Sequence, residues 1–174
     1  MQIVLRRVEL DEREVLANLL EKYEYEFSQY NEQDVNKLGL YGCPYLDFYW
    51  TDEDRFPYFI EVDGKLAGFI MVFNYREEGW PETDHQIAEF FVMYKYRRLG
   101  VGKQAFFQVL EKHRGRWGLG WHPKNITSAK FWTNVIDEYT KGQFELTESN
   151  PKLEYPDGSF GDTVLFDNSQ SISA

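Results

Sequence analysis

The stretch YRRLGVGKQAFFQVLEKH (residues 96–113) places two arginines and two glycines directly in front of an amphipathic segment. Val101, Ala105, Phe106, Val109 and Leu110 recur at helical spacing, which predicts a helix beginning near Gly102 and ending near Gly115. The glycines then fall in its entry loop. Such a loop can turn successive backbone N–H groups toward one point, and the first helical turn adds unpaired donors and the positive end of the helix dipole. The pattern outlines a site for phosphate.

Outward from this loop the chain alternates strands and helices. QIAEFFVM in front of it reads as a strand, and RWGLGW behind it alternates Trp117, Leu119 and Trp121 with glycines as the next one. NITSAKFWTNVIDEY then carries Ala129, Trp132, Val135, Ile136 and Tyr139 at helical spacing. Upstream, PYFIEVDGKLAGFIMVF gives two β-prone runs joined by Asp63-Gly64, a tight hairpin signal. QIVLRRV predicts a first strand, and Asp11 with Glu14 has the spacing of a capping pair for a helix over residues 11–30. Residues 31–55 are aromatic and irregular, and residues 74–85 form a polar loop. GQFEL and DTVLF supply two last short strands, and DNSQSISA reads as a loose tail. The expected architecture is one α/β domain over residues 1–167 with a flexible tail at 168–174, its mixed sheet centred on strand, phosphate loop and helix.

Composition narrows the function classes. The 174 residues are 43% hydrophobic and 18% aromatic, ample for a packed core. No apolar run approaches the ~20 residues a membrane helix needs, and the N-terminus reads as a strand, so a cytoplasmic protein without membrane partners is expected. The single cysteine, Cys43, excludes an internal disulfide, and three scattered histidines give little support for a metal site. A formal charge of −10 argues against nucleic-acid binding. The charge is segregated: residues 9–34 hold nine acidic against two basic side chains, residues 94–116 seven basic against one acidic. The basic segment surrounds the glycine loop, as an anion site would require.

The loop fits neither common nucleotide motif. GVGKQ lacks the spacing and the hydroxyl of a nucleoside-triphosphate P-loop, and the acidic residue that a dinucleotide fingerprint expects is missing from the end of the next strand. RRLGVG (residues 97–102), after a strand and before a helix, with an Asn-led helix after the following strand, instead resembles the pyrophosphate loop of the GNAT superfamily of acyl-CoA-dependent N-acyltransferases, [Q/R]-x-x-G-x-[G/A]. The specific motifs cover residues 89–132; the order of elements matches over most of the chain.

The resemblance implies a GNAT-like, mostly antiparallel twisted sheet of about seven strands with helices on both faces, splayed between the fourth and fifth strands. It implies acetyl-CoA as cosubstrate with no metal, its pyrophosphate held by Arg97, Arg98, Leu99, Gly100, Val101, Gly102 and Lys103. Val92, Met93 and Tyr94 would offer backbone groups to the pantetheine arm in the splay, and Asn125 matches the helix-leading Asn that contacts the arm. An ordinary helix cap explains Asn125 equally well.

The implied reaction is direct attack of a primary amine on the acetyl thioester in a ternary complex. An alkylammonium with pKa ~10.4 resists deprotonation at pH 7 by about 4.6 kcal/mol, so a base is needed. Glu89, an acidic residue on the strand before the loop, is the candidate; an exposed strand face would also explain it. Many members place a tyrosine acid seven residues after the helix-leading Asn, where this sequence has Trp132, whose indole is no practical acid and whose alternative role is core packing. Tyr94, Tyr96 and Tyr139 are other candidate donors. The first helix and the segment after it would wall the acceptor site, with Tyr23, Glu26 and Tyr30 as contacts in an acidic, aromatic surface suited to a cationic small molecule or peptide amine. Admissible partners are that amine and a second copy of the chain. Two further readings are an acyl-CoA sensor that binds without turnover and a partner-binding module whose loop is incidental.

Overall fold

The computed structural model describes residues 1–74 and 82–170. Seven strands form one mixed sheet: β1 (Ile3–Arg7), β2 (Arg55–Val62), β3 (Lys65–Phe73), β4 (His85–Val92), β5 (Arg116–Trp121), β6 (Glu145–Thr147) and β7 (Asp162–Asp167), in the order β1-β2-β3-β4-β5-β7-β6. The helices are α1 (Arg13–Asn31), α2 (Phe48–Thr51), α3 (Val101–Lys112) and α4 (Ile126–Thr140). The chain divides into two compact units, Met1–Phe73 with Ala88–Val109, and Asn74–Ile87 with Leu110–Ala174.

In the first unit β1, β2 and β3 pair antiparallel. Asp63 (φ 49°) and Gly64 (φ 73°) are both left-handed, the backbone of a two-residue turn whose twist matches its strands. Leu16, Leu19 and Leu20 of α1 join Phe59, Phe69, Met71 and Phe91 of the sheet in one buried cluster with Leu46 and Tyr49. Each such side chain contributes roughly 1.5–3 kcal/mol by leaving water. Gln108 of α3 accepts from Leu5 N–H at 3.0 Å and donates to the Ile3 carbonyl at 3.0 Å, satisfying backbone groups of the edge strand and tying α3 to it.

The start of α1 differs from the expected Asp11–Glu14 cap. A 3-10 turn, Leu10–Glu12, precedes the helix, and the Glu12 carboxylate accepts from Glu9 N–H at 3.2 Å. The shift has a cause: Arg6 of β1 grips Glu12 with two hydrogen bonds of 2.7 and 2.9 Å, placing that carboxylate over the turn.

In the second unit β5 and β6 pair antiparallel with β7, while β4 and β5 run parallel with only His85↔Trp117 and Gln86↔Gly118 in register. That two-residue contact is the splay expected between the fourth and fifth strands. Trp117, Leu119, Trp132, Val135, Ile136, Val164 and Phe166 are buried. Asn168, placed by sequence in the tail, is fully buried: its Oδ1 accepts from Gly115 N–H at 2.9 Å and its Nδ2 donates to the Leu110 carbonyl at 2.8 Å. Residues 171–174 of that tail, and 75–81 of the expected polar loop, lie outside the described residues.

Candidate active site

The glycine loop lies wholly in the first unit. β4 ends at Val92, and a 3-10 turn (Tyr94–Tyr96) leads through Arg97 into α3. β3 approaches the end of β4 so closely at Gly68 that a Cβ there would lie 2.0 Å from the Phe91 carbonyl oxygen. Arg98 (φ 60°) and Gly100 (φ 77°) are left-handed on either side of Leu99, which is not. Alternating handedness makes successive N–H groups converge on a concavity for anions. The Gly100 carbonyl accepts from Gln104 N–H at 3.1 Å, and the first N–H groups of α3 have no acceptor within the helix. Arg98, Leu99 and Gly100 are exposed, and Lys103 is half-buried one turn on. The backbone donors, exposure and adjacent positive charge fit a diphosphate.

The backbone around Met93 makes hydrogen bonds within the protein. Met93 N–H donates to the Ala67 carbonyl at 2.8 Å, the Met93 carbonyl accepts from Tyr96 N–H at 2.9 Å, and the Val92 carbonyl accepts from Arg97 Nε at 2.6 Å. These groups are thus engaged within the protein. Arg97 also holds Glu26 in a bidentate pair at 2.6 and 2.7 Å, joining a residue expected on the phosphates to one expected on the acceptor.

Glu89 stands among tyrosines of the same unit. Tyr45 Oη donates to its Oε1 at 2.6 Å. Burial raises the Glu89 pKa, and the hydroxyls of Tyr23 and Tyr45, which hydrogen-bond the anion, oppose that rise. The Glu24 carboxyl is pushed up to about 7, first by burial and then by the charges of Glu89 and Glu21. Glu21 accepts from the N–H groups of Tyr41 and Gly42 at 2.9 and 2.7 Å, pinning the chain that carries Cys43 and Tyr45 to α1. Tyr23, Phe27 and Tyr30 form an aromatic row along α1 with centroid spacings of 5.8 and 5.9 Å, and Tyr23 meets Phe69 and Phe91 edge-on. Burial pushes the Cys43 thiol up to about 11, which leaves little of it as thiolate at neutral pH.

Asn125, Trp132 and Tyr139 belong to the second unit. Asn125 Oδ1 accepts from Ser128 N–H at 3.0 Å, an N-cap of α4. Trp132 is 6% exposed and packs edge-on against Phe131. Tyr139 donates to Glu111 at 3.0 Å, within a group that includes Arg114 and Asn168. This unit also gathers His122, Asp157 and Ser159, three residue types of a nucleophilic triad. Their polarity is wrong for one: His122 Nδ1 accepts from Lys124 N–H, so Nε2 carries the proton, and Ser159 Oγ donates to Asp157 at 2.6 Å.

The sequence points to an acidic, aromatic wall but not to the links that Tyr45 and Glu24 make with Glu89. Those links join α1, the following loop and β4, and only the folded chain reveals them. Among the described residues no cluster of three or more His, Cys, Asp or Glu could hold a metal, and no helix is long and apolar enough to cross a membrane.

The model of the acetyltransferase (GNAT) family matches residues 14–134. Among solved structures, an acetyltransferase from Thermus thermophilus aligns at 13% identity with TM-score 0.68, over 96% of this chain and 97% of that one. Diaminobutyrate acetyltransferase from Paenibacillus lautus, solved with L-2,4-diaminobutyric acid and coenzyme A, aligns at 18% identity with TM-score 0.63, over 99% of each chain. PaiA N-acetyltransferase from Thermoplasma acidophilum, solved with coenzyme A, aligns at 13% identity with TM-score 0.57, over 96% of this chain and 99% of that one. At these identities the likeness is one of fold. No curated protein matches the sequence.

Proposed function

The chain belongs to the GNAT acetyltransferase family, and we propose that it transfers an acetyl group to a primary amine of a cationic small molecule or peptide, by direct attack in a ternary complex. Acetyl-CoA supplies the activated acyl group. The N–H groups of residues 98–103, with Arg98 and Lys103, hold its diphosphate; charge-assisted hydrogen bonds contribute about 1.5–3 kcal/mol each, so a few of them support micromolar binding before ordering costs.

The observation that carries the reading is the Glu89 carboxylate, held by Tyr45 at 2.6 Å in the unit that also contains the glycine loop. Glu89 takes the proton from the acceptor ammonium and frees the nitrogen lone pair. Burial favours proton uptake, while the tyrosine hydroxyls keep the carboxylate available as the anion. Glu24 and the row Tyr23, Phe27 and Tyr30 offer negative charge and aromatic faces to an acceptor with more than one positive charge.

Thiol release from acetyl-CoA, followed at pH 7–8.5 with polyamines, aminoglycosides, amino acids and basic peptides, tests the reading. Release dependent on a polycationic amine, and lost in Glu89→Gln, is the expected result. Coenzyme A binding without release for any amine would overturn the enzymatic reading in favour of an acyl-CoA sensor.

A further inference from the structure

Arg97 opens the glycine loop, and its charge invites assignment to the phosphates. Its contacts point elsewhere. Nη1 and Nη2 donate to the two oxygens of Glu26, Nε donates to the Val92 carbonyl, and the guanidinium carbon lies 4.1 Å from the Tyr94 ring centroid and 5.5 Å from that of Phe91. The head group is thus fixed in its plane by three hydrogen bonds and faced by aromatic rings. Its partners come from α1, the end of β4 and the turn that enters the loop. A planar fork with this many partners holds an orientation that a flexible ammonium does not.

We propose that Arg97 and Glu26 are positioning residues: their bidentate pair anchors the entry of the phosphate loop to α1, so that Glu26, an anion, strengthens the binding of an anionic cofactor. This rests on the assignment of residues 98–103 to coenzyme A. The two possible roles of Arg97 predict opposite signs. With Arg97 on the phosphates, removing Glu26 frees a cation and tightens binding. With Arg97 as an anchor, removing Glu26 loosens the loop and weakens binding.

The test is calorimetric titration of coenzyme A into the wild type, Glu26→Gln, Glu26→Ala, Arg97→Lys, Arg97→Ala and the double alanine variant, with amide hydrogen exchange of residues 98–103 in the free proteins. The expected result is about tenfold weaker binding in each single alanine variant, on the scale of one lost charge-assisted contact. The double variant falls no further than either single one. Arg97→Lys, which keeps the charge and loses the fork, resembles Arg97→Ala, and loop exchange rises while the sheet stays protected. Unchanged or tighter binding in the Glu26 variants, or wild-type affinity in Arg97→Lys, would overturn the anchor. Failure of the wild type to bind coenzyme A sinks the loop assignment instead; the exchange data then still decide the anchor, because unchanged loop exchange in Glu26→Ala refutes it.

Discussion

Tyr45 and Glu89 lie 44 positions apart in the chain, yet the tyrosine hydroxyl donates to the carboxylate at 2.6 Å. The bond favours the ionised form of a group whose burial favours the neutral one. Removing the hydroxyl therefore leaves burial unopposed by that donor. Tyr45→Phe is expected to move the acid limb of the kcat/KM profile upward by about one pH unit, the scale of one hydrogen bond to a charged group. Glu89→Gln lowers kcat by about 10²–10⁴-fold, the usual contribution of a positioned base. A pH–rate profile of both variants checks this, and an unshifted limb in Tyr45→Phe would remove Glu89 from the titration that governs turnover.

The Glu24 carboxyl is raised from its ordinary 4.5 to about 7, first by burial. A carboxyl with a raised pKa is protonated more readily in the folded chain than in the unfolded one. Its penalty on stability is absent below about 4.5, grows through the window up to about 7 and is complete above it. Glu24→Gln is expected to raise Tm at pH 8 and leave it unchanged at pH 4, at ~2–4 °C per kcal/mol for a chain of this size. Melting curves at the two pH values decide the matter; equal effects at both would show that the carboxyl does not titrate in this way.

A negative side chain in the first turn of α3 should repel the phosphates and obstruct their approach. Gly102→Glu is expected to abolish the rise in Tm caused by coenzyme A while the ligand-free protein melts within a few degrees of the wild type. Thermal shift with and without coenzyme A reads both quantities, and retained binding would remove the loop from the cofactor site.

Gly68 leaves no room for a side chain, since a Cβ would meet the backbone of β4 at 2.0 Å. Gly158 has open space and a φ of 78°. Alanine at Gly158 should cost only about 1–2 kcal/mol of backbone strain, whereas alanine at Gly68 must displace β4 and should cost well over ~3 kcal/mol. Denaturant unfolding of the two variants provides the comparison, and equal losses would mean that β4 yields easily.

Much of the fold was legible because its signals are local. Asp63-Gly64 demands a turn of one hand, and Val101, Ala105, Phe106 and Val109 mark one face of a helix. The start of α1 was displaced because acidic residues recur at the same spacing in Glu9–Glu12 and Asp11–Glu14. Only Arg6 on a neighbouring strand selects between them. Asn168 sits among polar residues that read as tail, and its burial follows from the backbone at Leu110 and Gly115 that it satisfies. The handedness of the glycine loop follows from its own residues, whereas the pairing of Arg97 with Glu26 spans 71 positions and leaves no periodic trace. Side chains that meet only through the sheet are read from its register, which composition does not supply.

Cys43 brings a practical benefit. Any thiol-detecting reagent used to follow transfer also meets the protein's own sulfur, and this chain carries only one. With its thiol pushed up to about 11, roughly one molecule in a thousand presents a thiolate there at pH 8. The protein's own sulfur therefore reacts slowly and adds at most one equivalent per chain, whereas the thiol released from the acyl donor accumulates with every turnover.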